Sequence, residues 1–119
     1  VSPRPVDPAL VEVLGHLLVD RHLGTGSAAT WEALRRELER EGVHVNAVRR
    51  LQEAAAVLRA RRVPVIGLSG GGVCIARDVD EVDAAIGEKR RRAIATLGDL
   101  RTLKRIRLTM LGQTEARAS

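Results

Sequence analysis

The sequence predicts a mainly α-helical domain with a small β-hairpin, continued by a long C-terminal helix. Three observations predict it. From Asp7 to Arg61 the apolar residues recur at three- and four-residue spacing, the helical period. The stretch Gly42-Val43-His44-Val45-Asn46-Ala47-Val48-Arg49-Arg50-Leu51 reads as a tight turn opening into a helix with an arginine-bearing outer face. Val63 to Ile75 then reads as a two-strand ribbon with a glycine hinge.

Each element has its own local cause. Residues 1–6, with Pro3 and Pro5, read as a disordered lead. Asp7-Pro8 opens the first helix, because aspartate accepts from the free N–H groups and proline at the first position gives up none that is needed. Leu10, Leu14, Leu17 and Leu18 make its apolar stripe, broadened by Val11 and Val13, and Gly24-Thr25-Gly26-Ser27 ends it near Leu23. Thr30 caps the second helix, Trp31 to about Arg40. This helix buries Trp31, Leu34 and Leu38 and turns Arg35, Arg36, Glu37, Glu39 and Arg40 to water. Gly42 stops it by taking a positive φ, and Val43 plugs the angle to the next helix.

His44 falls at the N-cap of a third helix, Val45 to about Arg61, which sets Val48, Leu51, Ala55 and Leu58 towards a core. Its other side carries Asn46, Ala47, Arg49, Arg50 and Glu53. Val63 to Leu68 and Val73 to Ala76 read as strands around the tip Ser69-Gly70-Gly71-Gly72, with Pro64 suited to an edge or a strand start. Asp78-Val79-Asp80-Glu81 has capping-box spacing, which puts the Asp78 carboxylate at the N–H of Glu81. A long helix, Val79 to about Leu111, follows with Val82, Ile86, Ala93, Leu97, Leu100, Leu103 and Ile106 along it. From Gly112 to residue 119 the chain reads as a disordered tail. Residues 7–77 are therefore expected as one domain and 78–111 as a basic arm.

Composition narrows the function. Apolar residues make up 45% of the 119 positions but aromatics only 1%, the single Trp31, so the core rests on Leu, Val, Ile and Ala and is thin. Self-association would reinforce it. The twenty Lys and Arg include two lysines, Lys89 and Lys104, leaving eighteen arginines, and the net charge is +5. GC-rich coding bias is one source of such arginines. A polyanionic partner is the other reading, because each phosphate neutralised releases counterions. Between Glu88 and Arg107 eight Lys and Arg stand against two acids, enough to account for the positive balance.

Catalytic chemistry finds little support. His16, His22 and His44 are scattered, and the first two lie six residues apart, the wrong spacing for two ligands on one helical face. Cys74 is the only cysteine, which excludes a disulfide framework or thiolate cluster; it reads as a small core residue, and cytoplasmic placement is expected. Gly70-Gly71-Gly72 lacks the Gly-Lys-Ser/Thr of a phosphate loop. Asp78, Asp80, Glu81 and Asp83 are explained by helix capping and the macrodipole without metal. No enzyme, cofactor or metal site is expected. No run approaches the length of a membrane span and no signal-peptide pattern is present, so neither insertion nor secretion is expected.

DNA binding fits the third helix. Short residues at its start, Asn46 and Ala47, allow close approach to the major groove, and Arg49 and Arg50 follow where a guanidinium pairs with guanine or clamps phosphate. The bland alternative is a solvated arginine face. Glu53 shares that face, while Arg61 and Arg62 before the ribbon and Arg77 after it flank the adjacent backbone or minor groove.

From Thr30 to about Arg107 the chain resembles the small winged helix-turn-helix proteins of bacteria, phages and prophages. Gly42-Val43-His44 matches their Gly-Val-Ser turn, Val48-Arg49-Arg50-Leu51 the recognition helix, and Val63-Pro64-Val65 the Gly-x-Pro-Ile approach to the wing. Gly72-Val73-Cys74-Ile75-Ala76 matches the Gly-Tyr-Tyr strand, and Asp80-Glu81-Val82 the acid-capped basic helix. Arg62 replaces a glycine, Val73 and Cys74 replace the tyrosines, and His44 replaces the serine cap. The resemblance implies a non-enzymatic binder of double-stranded DNA, a transcriptional regulator or a phage-type replication or packaging factor, cytoplasmic and associated with the nucleoid. The C-terminal helix would form a homodimer or lay its cations along DNA. The alternative is a winged-helix interaction or scaffold module, as in chromosome-organising and polymerase-binding proteins.

Overall fold

A computed structural model describes residues 5–118, with side chains through Thr114. Residues 1–4 of the expected disordered lead, and Ser119 of the expected tail, lie outside the described residues. The chain is mainly helical with a small antiparallel sheet and a long C-terminal helix. It divides into two compact units, Val1–Ala85 and Ile86–Ser119.

In the first unit α1 spans Pro8–Arg21, a single 3₁₀ turn Thr25–Ser27, β1 Ala29–Thr30, α2 Trp31–Arg40, α3 Val48–Ala60, β2 Val65–Gly67 and β3 Gly72–Ile75. The local caps act as expected: Asp7 Oδ1 accepts from the Ala9 N–H at 2.9 Å, and Thr30 Oγ1 from the Ala33 N–H at 3.1 Å. Gly42 takes φ +82°, which lets the Val43 N–H reach back to the Leu38 carbonyl at 2.9 Å and close α2. Val43 then packs half-buried against the core.

Arg62 closes α3 in the same way without being glycine. Its φ is +70°, the only positive value at a non-glycine among the described residues, and the Val63 N–H bonds the Leu58 carbonyl at 3.0 Å. A left-handed L-residue costs about 1–2 kcal/mol, partly offset because glycine is looser in the unfolded chain. Arg62→Gly is therefore expected to raise stability by about 0.5–1 kcal/mol. An unchanged or lower urea midpoint would contradict this.

The sheet holds more than the expected hairpin. β3 is central, paired antiparallel with β2 (Val65 opposite Ile75, Ile66 opposite Cys74) and with β1 (Ala29 opposite Val73), giving the order β1-β3-β2. β1 was not expected: two residues show no alternation, and it becomes a strand because β3 offers a free edge. The first ribbon strand is shorter than expected, and the second keeps its length but begins one residue earlier, so that Gly72 belongs to β3 rather than to the tip. One residue pair further along the same edge, the Ile75 N–H bonds the His22 carbonyl at 2.9 Å and the Gly24 N–H the Ile75 carbonyl at 2.7 Å. That pairing draws Leu23 out of helical geometry, so α1 ends at Arg21 rather than near Leu23.

Leu14, Leu18, Leu34, Leu38, Leu51, Ala54 and Ala55 are all at 0% exposure and join α1, α2 and α3 into one core under the sheet. Trp31 is only half-buried against it. Two α2 residues expected to face water do not. Arg35 is half-buried, and Glu37 holds His22, which is 8% exposed. His22 Nδ1 lies 2.7 Å from the Ser27 carbonyl and Nε2 3.0 Å from Glu37 Oε2. Both partners are acceptors, so the two bonds are made together when each ring nitrogen carries a proton.

The long helix α4 spans Val79–Ala118. Asp78 Oδ1 accepts from the Glu81 N–H at 2.9 Å, the expected cap. Glu81 in turn accepts from the backbone N–H groups of Arg77 at 2.6 Å and Thr25 at 2.9 Å. These bonds, that from Arg77 foremost, hold its carboxyl below the usual carboxylate range. The disordered tail expected from Gly112 is corrected. The helix continues to Ala118, because a glycine with no competing cap weakens a helix without having to end it.

Candidate nucleic-acid interface

α3 is docked by Leu51, Ala54, Ala55 and Leu58, all buried, which leaves Arg49, Gln52 and Ala56 exposed on its outer side. Its start differs from expectation. The N-cap is Ala47, with no side-chain bond, and His44, Val45 and Asn46 form the turn ahead of it. Two contacts hold that turn open: Val45 is 5% exposed in the core, and the Arg35 guanidinium donates to the Val45 carbonyl at 2.9 Å and the Asn46 carbonyl at 3.4 Å. Ala47 is in extended backbone, so Asn46 and Ala47 precede α3 rather than lying on it. His44 is not a cap; it sits 3.8 Å from Glu39.

Arg49 is open to solvent, its side chain 87% exposed, and its Nε lies 3.5 Å from Glu53 Oε1. Arg50 is half-buried, 3.4 Å from the other oxygen of Glu53, on the rim of a shallow cavity of about 190 Å³ that also touches Asp7 and Asn46. Glu53 therefore sits between the two arginines as their shared counter-ion. Arg61 and Arg62 lie at the opposite end of α3, about 18 Å of helix from Arg49. Arg61 pairs with Glu12 of α1 at 3.2 Å. Arg77 follows β3 with its guanidinium against Gly24, where a Cβ would come within 2.6 Å of Nη2. The expected residues thus fall into a cluster at the α3 start, a pair at its end and a single residue beyond the sheet. Arg59 joins them: it donates to the Val65 carbonyl at 2.8 Å and ties α3 to β2.

No family model, curated protein or solved structure matches this chain.

The charge is divided sharply between the units. Val1–Ala85 carries eleven arginines against twelve carboxylates, net −1, whereas Ile86–Ser119 carries nine Lys and Arg against three acids, net +6; together these make the +5 of the chain. In the first unit Arg21, Arg35, Arg49, Arg50 and Arg61 each have a carboxylate within 4.0 Å. In the second, Glu88 takes Arg91 at 2.8 Å and Arg92 at 3.4 Å, and the bond from Arg91 holds its carboxyl below the usual range.

Cys74 is buried, and desolvation, aided by the nearby Glu81 charge, pushes its thiol upward, the opposite of nucleophile activation. Among the described residues no cluster of three His, Cys, Asp or Glu is placed to hold a metal, and no helix is long and apolar enough to cross a membrane.

Proposed function

We propose that this chain is a winged helix-turn-helix protein that binds double-stranded DNA without catalysing a reaction, as a transcriptional regulator or a phage-type replication or packaging factor. One observation carries the reading: the order α1-β1-α2-α3-β2-β3 with β3 at the sheet centre, and α3 packed by its leucine side while Arg49 faces outward. In this reading α3 enters the major groove and the β2–β3 ribbon is the wing lying on the backbone. Arg49 and Arg50 contact bases or phosphates, and Asn46 and Ala47 approach the backbone from the turn.

Glu53 does not block such contacts. An ion pair this exposed is worth about 0–1 kcal/mol, less than the roughly 1–3 kcal/mol of a bidentate arginine–guanine pair. The α3 start also lacks a side-chain cap, which leaves the N–H groups of Val48 and Arg49 open to a phosphate, that of Arg50 bonding the Ala47 carbonyl. Leu100, Leu103 and Leu111 of α4, all exposed, offer an apolar line for a homodimer, which would set half-site spacing.

A second reading, a protein-interaction or scaffold module, is favoured by the net charge of −1 on the first unit. Selection of bound sites from random duplex DNA at two salt concentrations separates them. A common motif, lost in the Arg49→Glu, Arg50→Glu double variant, is expected. Recovery of unenriched sequence at both salts would overturn the DNA reading, and a palindromic motif would report dimer symmetry.

A further inference from the structure

Four of the unpaired cations of α4 share one side of the helix. Among the described residues Lys89, Arg90, Arg101, Lys104, Arg105 and Arg107 are all exposed and have no carboxylate within ion-pair reach. At about 3.6 residues per turn, Arg90 and Arg101 stand just over three turns apart and so lie nearly above one another, with Lys104 and Arg105 about one turn further on the same side. Glu88 and Asp99, also eleven residues apart, lie on roughly the opposite side. The acids of this segment are thus kept away from the cation row. Arg101, Lys104 and Arg105 are like charges at three- and four-residue spacing, an arrangement that is unfavourable in the free helix and relieved by a polyanion.

We infer that this face, Arg90, Arg101, Lys104 and Arg105, grips the phosphate backbone of double-stranded DNA and supplies most of the salt-dependent affinity, while α3 supplies base contact. The inference rests on the DNA reading above and assigns the electrostatic part of it to α4 rather than to the net-negative first unit. From Arg90 to Arg105 the face runs about 22 Å, alongside which a duplex presents roughly 13 phosphate charges, ample for four cations. Exposed apolar residues share this side, Ile94, Leu97 and Leu108 lying within the arc of the four cations, while Leu103 lies well away from it. An anionic lipid surface fits less well. It needs apolar and charged residues on separate faces, and along α4 they are interleaved, with Ile94, Leu97 and Leu108 among the cations.

Four neutralised phosphates contribute about −3.6 to the slope of log affinity against log salt, an affinity loss of roughly 150-fold between about 50 and 200 mM salt. The test is fluorescence anisotropy of a mixed-sequence duplex with the full chain and with its Arg90→Gln, Arg101→Gln, Lys104→Gln, Arg105→Gln variant, circular dichroism checking that the variant stays helical. The expected result is a slope shallower by about 3.6, with the Arg49→Gln, Arg50→Gln variant losing at most about 1.8. Duplex binding with an unchanged slope in the α4 variant would overturn the inference and leave the DNA reading standing. No duplex binding by the unaltered chain at 50 mM salt would overturn both. Stronger binding to phosphatidylserine vesicles than to duplex, lost in the α4 variant, would reassign the face to lipid and overturn the inference.

Discussion

Leu51→Ala is expected to lower the unfolding free energy by about 3 kcal/mol, a large share of the roughly 5–15 kcal/mol available to a domain of this kind. Leu51 is at 0% exposure on the inner side of α3, within the leucine cluster that joins α1, α2 and α3. Truncation removes apolar burial and leaves a cavity that small neighbours such as Ala54 and Ala55 cannot fill, both being already at 0% exposure. Trp31, half-buried against the core, supplies the fluorescence signal for urea unfolding. A loss below about 1 kcal/mol would mean that α3 is not held by this cluster. If α3 reads DNA as proposed, duplex binding should weaken together with stability, because the outward presentation of Arg49 depends on that docking.

His22→Ala is expected to cost about 2–3 kcal/mol, from a different source. The imidazole fills a buried position between the end of α1, the 3₁₀ turn and α2, and it engages the Ser27 carbonyl and the Glu37 carboxylate together. Its removal leaves Glu37, only 18% exposed, without this partner, and Arg21 at 3.9 Å is too distant to replace the bond. His16→Ala is the control. His16 is exposed on α1 and should stay within about 0.5 kcal/mol of the unaltered chain. Equal losses from the two histidines in the same urea series would show that the tie at His22 is not a stabilising contact.

These two residues differ in how far they can be read from the chain order. Leu51 belongs to a pattern with Ala55 and Leu58 that the helical period exposes directly, and its burial agrees. His22 carries no such signal. A histidine after a leucine-rich helix is equally compatible with a surface position, and its partner Glu37 lies fifteen residues away on a helix where it read as solvent-facing. The same holds for Arg35. The helical period assigned it to water, yet it donates to the carbonyls of Val45 and Asn46 and braces the turn ahead of α3, which starts at Val48. Of the candidate interface, Arg49, Arg50 and Glu53 sit on the outer α3 surface as read, whereas Asn46 and Ala47 moved into the turn.

The amino-acid order alone determined the helices of the first unit and most of their boundaries. Asp7, Thr30, Gly42 and Asp78 act on N–H and carbonyl groups within five residues of themselves, and a reach that short is written in the chain. It also determined that the positive charge gathers beyond Ile86. Only the tertiary structure decided the third strand, the delayed start of α3, the His22 tie and the neutralisation of Arg49 and Arg50 by one shared carboxylate. Ala29 becomes a strand because Val73, forty-four residues on, offers it an edge, and Thr25 is held by Glu81 from fifty-six residues away. Local propensity carries no information about partners at such separations, because they meet only after the core has closed.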